Sequence, residues 1–220
     1  KMEGLNFSVV LEYYPILLEG LLWTCSLCVS SIALSLVCGV PLAVGSISKN
    51  KAVQLPTNFF LWVFRGTPLL LQLFVIYFGL PQIGIYLSPV ASGILGLGIH
   101  YAVYNADVMR TGIVAVESGQ HEGSRSLGLS KAQTMRKVII PQALRNVAPP
   151  LGNNLIALLK ESALVSIITV PELTLSAQRA ISDTFRPFEF YIAAGAIYYF
   201  VNYLLELSLK RVEMKTALYR

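Results

Sequence analysis

Lys160 and Glu161 sit side by side inside an apolar stretch, residues 151–170. A charge within a membrane span is costly, so it faces a cavity or a partner. Neighbours on a helix point about 100° apart, so these two do not pair face to face. The Glu161 carboxylate at mid-depth is suited to hold a solute ammonium or guanidinium. Pairing with a helix of a dimer mate, or lining a hydrated gap, is the structural alternative. Asp107 poses a similar choice: Arg110, at i+3, is an adequate partner, and a solute contact is the other reading. Gln72 must find a partner in hydrocarbon, on a neighbouring helix or on a solute. His100 reads as a helix–helix hydrogen-bonding residue, with pH sensitivity as a second use. Tyr101 and Tyr104 read as packing or interface residues, with solute contact as the alternative.

Other chemistry is excluded by what the sequence lacks. His100 and His121 are its only histidines, with no H-E-x-x-H pair and no Ser/His/Asp set. No G-x-x-x-x-G-K-[ST] loop is present, so the chain has no visible means of binding ATP itself. Cys25, Cys28 and Cys38 share one apolar run without a second cysteine pair or a nearby histidine. They read as small hydrophobes rather than metal ligands or a redox pair.

The elements that must position these groups are membrane helices. The 220 residues are 55% hydrophobic and 13% charged, against about 25% charged in average soluble domains. The expectation is an all-α integral membrane protein forming a single domain, residues 1–220. A span needs about 20 apolar residues. Five runs qualify, near residues 17–46, 57–80, 89–109, 151–170 and 188–209. Gly39 and Pro41 predict a tilt or kink late in the first. Arg65-Gly66-Thr67-Pro68 predicts a break in the second, with freed backbone groups beside the pathway and Leu69 and Leu70 shaping a pocket. Gly93, Gly96 and Gly98 allow close helix approach in the third. No cleavable signal is expected, since Glu3, Glu12 and Glu19 stand where a basic leader would lie.

Basic residues set the orientation. Lys49 and Lys51 follow the first span. Arg110, Arg125, Lys131, Arg136, Lys137 and Arg145 lie between the third and fourth. Lys210, Arg211, Lys215 and Arg220 follow the fifth. The other side has Lys1, Arg179 and Arg186 mixed with Glu3, Glu172 and Asp183. The positive-inside rule places the N-terminus outside and the C-terminus in the cytoplasm. The net charge of +5 is then topology, not nucleic-acid binding.

Residues 117–146 form a long polar loop in this apolar chain. Residues 120–127 predict a short helix ended by Gly128 in a left-handed turn. Ser130 predicts the cap of a second helix, with Gln133 at the capping-box position. Pro141 is expected to interrupt that helix, and Pro149-Pro150 to reset the chain before the fourth span. Two capped helices describe a stiff polar knob for a soluble partner rather than a slack connector.

Four stretches in order carry a family resemblance. Glu122-Gly123-Ser124, then Gly128, then Val138-Ile139-Ile140-Pro141 resemble the EAA loop of ABC-importer membrane subunits. Phe64-Arg65-Gly66-Thr67-Pro68-Leu69-Leu70-Leu71-Gln72-Leu73-Phe74 is similar to F-R-G-T-P-L-L-x-Q-L-F. Tyr104-Asn105-Ala106-Asp107-Val108-Met109-Arg110-Thr111-Gly112-Ile113 resembles Y-x-A-E-x-x-R-G-G-I. Lys160-Glu161-Ser162-Ala163-Leu164 and Val170-Pro171-Glu172-Leu173 resemble K-D-[ST]-S-L and V-P-E-L. The resemblance is to polar amino-acid permeases of the histidine/glutamine/arginine type. Departures are Gly-Ser for Ala-Ala after Glu122, Asp107 for Glu, Thr111 for Gly and Ala163 for Ser. The glycine lowers helix propensity by about 1 kcal/mol.

The resemblance implies a type I importer permease in a bacterial inner membrane. Its partners would be an ATPase dimer, a second permease subunit and an extracytoplasmic solute-binding protein, with lipid around it and no nucleic acid. ATP and magnesium would be bound by the ATPase, leaving no cofactor and no metal in this chain. The coupling helix would present Glu122, Gly123, Ser124, Arg125, Leu127 and Gly128 to the ATPase. Glu122 and Arg125 would offer charges, Leu127 an apolar anchor and Gly128 close approach. The solute pathway would include Leu69, Gln72, Tyr101, Tyr104, Asp107, Glu161 and Val165. The rival reading is a self-sufficient secondary transporter of a small polar solute. It calls for internal repeats and paired half-helices, which this sequence does not display.

Overall fold

The computed structural model describes the backbone of residues 4–217 and the side chains of residues 4–211. Lys1, Glu3, Arg220 and the Lys215 side chain, which enter the charge reading, fall outside them. Among the described residues every regular element is helical. A short α1 (Ser8–Glu12) precedes α2 (Tyr14–Ser46), which continues through Pro41 as one 33-residue helix. α3 (Lys51–Gly66) is capped by the Asn50 side chain, which accepts from the Ala52 amide at 3.0 Å. α4 (Leu69–Phe74) runs on through a π turn (Val75–Gly79) and a 3-10 turn (Leu80–Ile83). The axes either side of Thr67-Pro68 meet at 106°. The expected break after Gly66 is therefore present, but the helix ahead of it begins at Lys51 rather than near residue 57.

α5 (Pro89–Val114) is the central helix and packs against α2, α4 and α8. By composition it is not among the helices apolar enough to cross a membrane. Helices around it replace lipid, so it can carry buried His100 and Asn105. Its glycines permit the packing. A Cβ on Gly98 would lie 2.6 Å from Leu34, one on Gly96 2.5 Å from Leu73, and one on Gly112 2.1 Å from Val147. Asn105 fastens three helices, donating to Ser35 at 2.9 Å and accepting from Asn154 at 2.8 Å.

The polar loop differs most from expectation. α6 (Ser118–Ser126) and α7 (Lys131–Thr134) form, and Ser130 with Gln133 makes the expected reciprocal cap. But Pro141 interrupts nothing and Pro149-Pro150 resets nothing. A π turn (Met135–Ile139) leads directly into α8 (Ile140–Glu161), so residues 131–168 form one long helical rod. Three causes keep it continuous. Pro141 falls in the first turn of α8, after the wider π turn. Gln142 donates its side-chain amide to the Val138 carbonyl at 2.9 Å. The turn containing Pro149 and Pro150 is pinned by Val147, seated in the gap at Gly112. The polar loop thus has no structural end at residue 146.

α8 passes into a 3-10 turn (Ser162–Ile168), and Thr169 reverses the chain at φ 65°. α9 (Leu173–Thr184) lies where the sequence reading placed only a connection, and α10 (Pro187–Ala217) closes the bundle. Among the described residues α2, the 131–168 rod and α10 are each long and apolar enough to cross a membrane, and the bent α3–α4 pair is a fourth if taken as one span; α5, the fifth expected span, falls below that apolarity.

Candidate functional site

Glu161 occupies the last turn of α8, where the helix tightens into its 3-10 continuation. The Tyr101 hydroxyl donates to its carboxylate at 2.9 Å. Tyr101 is buried on α5, in a ring cluster with His100 at 5.5 Å and Tyr104 at 6.2 Å between centroids. His100 Nδ1 lies 3.1 Å from Gln72 Oε1. Gln72 Nε2 in turn donates to the Phe64 carbonyl at 2.9 Å, the Thr67 carbonyl at 3.1 Å and Thr67 Oγ1 at 2.9 Å. That leaves Gln72 Oε1 as acceptor and assigns the proton to His100 Nδ1. Polar contacts therefore run from the α3–α4 break to His100, and Tyr101, in ring contact with His100, carries a separate hydrogen bond to the carboxylate. Leu69 and Val165 pack in the same buried cluster as Tyr101.

Leu69, Gln72, Tyr101, Tyr104, Glu161 and Val165 thus come together. Tyr104 and Glu161 keep partial exposure, while the Val165 side chain is sealed. Gln72 finds its partners within the chain: it closes the backbone groups freed by the break. Asp107 stands apart, two turns along α5 from His100. Arg110 donates to Asp107 Oδ1 at 2.9 Å as the spacing anticipates. Arg65 approaches the same oxygen at 3.4 Å, a contact the sequence reading missed because it crosses two helices. These three residues line an open pocket of about 430 Å³ with Asn58 and Trp62. Lys160 points elsewhere, into a groove with Asn153, Glu206 and Lys210.

The coupling segment is a second, separate feature. Gly128 takes φ 81°, its amide donates to the Arg125 carbonyl at 2.9 Å, and the Leu129 amide reaches back to Ser124 at 3.2 Å. This double closure ends α6 in the left-handed glycine cap that the sequence predicts. Glu122, Gly123, Arg125 and Leu127 are exposed, Leu127 at 83%. Ser124 is not: it is buried, donating to the His121 carbonyl at 2.9 Å and accepting from the Thr134 hydroxyl at 3.1 Å. Its side chain ties α6 to α7 rather than facing outward, because a small hydroxyl fits where the two helices touch. Val116, Ile139 and Ala143 seat the segment on the rod.

Glu172 enters the sequence reading as an outer-side charge and within the Val170–Leu173 motif. It is fully buried, caps α9 by accepting from the Leu175 amide at 2.8 Å, and accepts from the Tyr198 hydroxyl. The signal was an acidic residue just ahead of a helical run. Cys25, Cys28 and Cys38 are free thiols, and no cluster of potential metal ligands occurs among the described residues.

Comparison with known proteins places these features. Residues 33–217 match the family described as binding-protein-dependent transport system inner membrane component. The arginine transport system permease protein ArtQ of Bacillus subtilis (strain 168) is 36% identical over 213 residues, covering 96% of this chain and 97% of that one. The octopine transport system permease protein OccM of Rhizobium meliloti is 37% identical over 202 residues, covering 88% and 82%. A chain from the crystal structure of an amino acid ABC transporter with histidines matches with TM-score 0.93 at 38% identity, covering 97% of this chain and all of that one. The chain belongs to this family of inner membrane components: it is a multi-pass permease subunit of an ABC importer, not an enzyme, and ATP is hydrolysed on a separate subunit.

Proposed function

We propose that this permease moves polar amino acids or amino-acid derivatives inward, with Glu161 holding the solute cation at mid-depth and α6 docking on the ATPase. The observation that carries the reading is the Glu161 carboxylate, partly exposed, held by Tyr101 at 2.9 Å, at the far end of the rod that α7 begins. Tyr101 orients the carboxylate and leaves its second oxygen for a solute ammonium or guanidinium. Tyr104 lies beside it as an aromatic wall suited to a cation. Leu69 and Val165 shape the apolar surround, and Asp107 with its two arginines lies along the route to the rod's basic end.

The partners are two ATPase subunits, which would bind ATP and magnesium, a second permease subunit, and an extracytoplasmic binding protein. Exposed Glu122, Gly123, Arg125, Leu127 and Gly128 form the docking surface, and buried Ser124 braces it. The density of basic residues around the loop supports a cytoplasmic loop, an outside N-terminus and a cytoplasmic C-terminus. Relatives named for arginine and octopine transport support a cationic or amino-acid-derived solute.

Affinity purification of the tagged chain from its own membrane tests the reading. Recovery of an ATPase subunit and ATP-dependent uptake of radiolabelled arginine by the reconstituted eluate are expected. Solute transport by a partner-free eluate would overturn it in favour of a secondary transporter.

A further inference from the structure

α3 does not read as the first half of a membrane span. Its axis stands at 106° to the α4 unit. α4 lies alongside α5, since Gln72 meets His100 while Leu73 and Ile76 meet Gly96, one turn back along α5. α3 therefore lies across the bundle. Its contacts keep to one level: Thr57 against Gly45, Leu61 in a cluster with Ala43, Val103 and Ala106, and Arg65 against Asp107. That level is set by the last turns of α2 and the closing part of α5, with Asp107 about 10 Å from the end of α5 at Val114.

The helix carries separate faces around its circumference. Phe60, Leu61 and Phe64 face the bundle. Lys51, Asn58 and Arg65, spaced by seven, form a polar line. Leu55, Phe59 and Trp62 form an apolar line beyond it, 64%, 65% and 71% exposed. An in-plane helix at a bilayer surface has this division, with polar side chains toward water, apolar ones into the acyl boundary and an aromatic such as Trp at the junction. Lys51 adds charge complementary to anionic headgroups. The later turns of α2, against which α3 packs, also expose Val37, Val40, Val44 and Ile47.

We infer that α3 is an interfacial helix lying in the membrane plane, its Leu55, Phe59 and Trp62 line bedded in the lipid of the leaflet where α2 and α5 end. The orientation proposed above makes this the inner leaflet. The placement makes α3 a lipid-anchored arm hinged at Thr67-Pro68 and latched to α5 by Arg65 and Asp107. Lipid composition then reaches the α3–α4 break directly, through Gln72.

Nitroxide labels test it in the assembled importer in bilayers. Cysteines replace Leu55, Phe59 and Trp62 one at a time, in a background whose native cysteines are alanine and whose uptake is retained. Collision rates with oxygen and with a water-soluble nickel chelate give each depth. The expected result is one shallow depth shared by all three positions. A depth change of about 10 Å from residue 55 to residue 62 would make α3 a transmembrane helix and overturn the inference. Low collision with both reagents would also overturn it, because a protein partner then covers the line. If the cysteine-free chain fails to assemble, Trp23→Phe leaves Trp62 as this chain's sole tryptophan. Quenching of Trp62 in phosphatidylcholine vesicles should be strongest with bromine near the headgroup end of the acyl chain, and quenching strongest near the terminal methyl would overturn the inference. Depth is read without reference to side or to solute, so an inverted orientation or a different cargo leaves this outcome separately legible.

Discussion

The Tyr101 hydroxyl and the Glu161 carboxylate meet at 2.9 Å, joining the centre of α5 to the last turn of α8 across 60 residues of sequence. The bond sets where a negative charge stands inside the bundle. A hydrogen bond to a charged group is worth about 1.5–3 kcal/mol. Glu161→Gln should therefore lower uptake of radiolabelled arginine by about tenfold or more at subsaturating solute, with ATPase recovery on affinity purification unchanged. Tyr101→Phe should give a smaller loss in the same assay. If uptake and ATPase recovery fall together for Glu161→Gln, the carboxylate is structural.

Gly128→Asp should uncouple the machine. A left-handed backbone at φ 81° costs a non-glycine residue about 1–2 kcal/mol, which a bundle of this size tolerates. The added carboxylate stands on the docking face beside exposed Leu127. The expected phenotype is normal insertion, basal ATP hydrolysis and no uptake. Uptake at the wild-type rate would remove α6 as the coupling element.

Gly112→Ala probes the contact that carries the rod through its prolines. The new methyl would lie 2.1 Å from Val147 Cγ1. Overpacking of this kind costs about 1–3 kcal/mol. A lowered melting temperature in detergent is expected, and Val147→Ala in the same chain should restore most of it. Failure of that rescue would show that the glycine matters for something other than Val147.

Glu172→Ala removes the cap of α9 and leaves Tyr198 without its acceptor. The cap alone is worth about 1 kcal/mol. Glu172→Gln keeps an acceptor for the Leu175 amide and should lose less stability in the same melting assay. Equal losses for both variants would mean that the charge, not the cap, holds α9.

Much of this architecture is legible in local sequence. The glycine cap at Gly128, the Ser130–Gln133 box and the break before Pro68 are each set by residues within a turn of one another, and each appears as read. The errors share one cause. Pro141, Pro149 and Pro150 are helix breakers in isolation, but Val147 packing at Gly112 and the first-turn position of Pro141 outweigh that local preference. Ser124 was assigned outward because nothing local shows that Thr134 lies 3.1 Å away. α9 escaped because its core face, Leu173, Ala177 and Ala180, is too short and interrupted to register as a span. Within the site, the residue types at 72, 101 and 161 are readable, whereas the Gln72–His100 and Tyr101–Glu161 contacts depend on three helices meeting at one depth.

Because residues 131–168 form a single rod, motion at one end is geared to motion at the other. Glu161 stands about 45 Å from Lys131 along that axis, so a 5° tilt pivoting at α7 would sweep the carboxylate through about 4 Å. Its compliance is concentrated at known points: the π turn at Met135–Ile139 near the input and the paired prolines at mid-length. If α6 docks on the ATPase as proposed, a rotation imposed at the α6–α7 corner becomes a displacement of the carboxylate, and stiffening either point would change that displacement without touching solute or nucleotide.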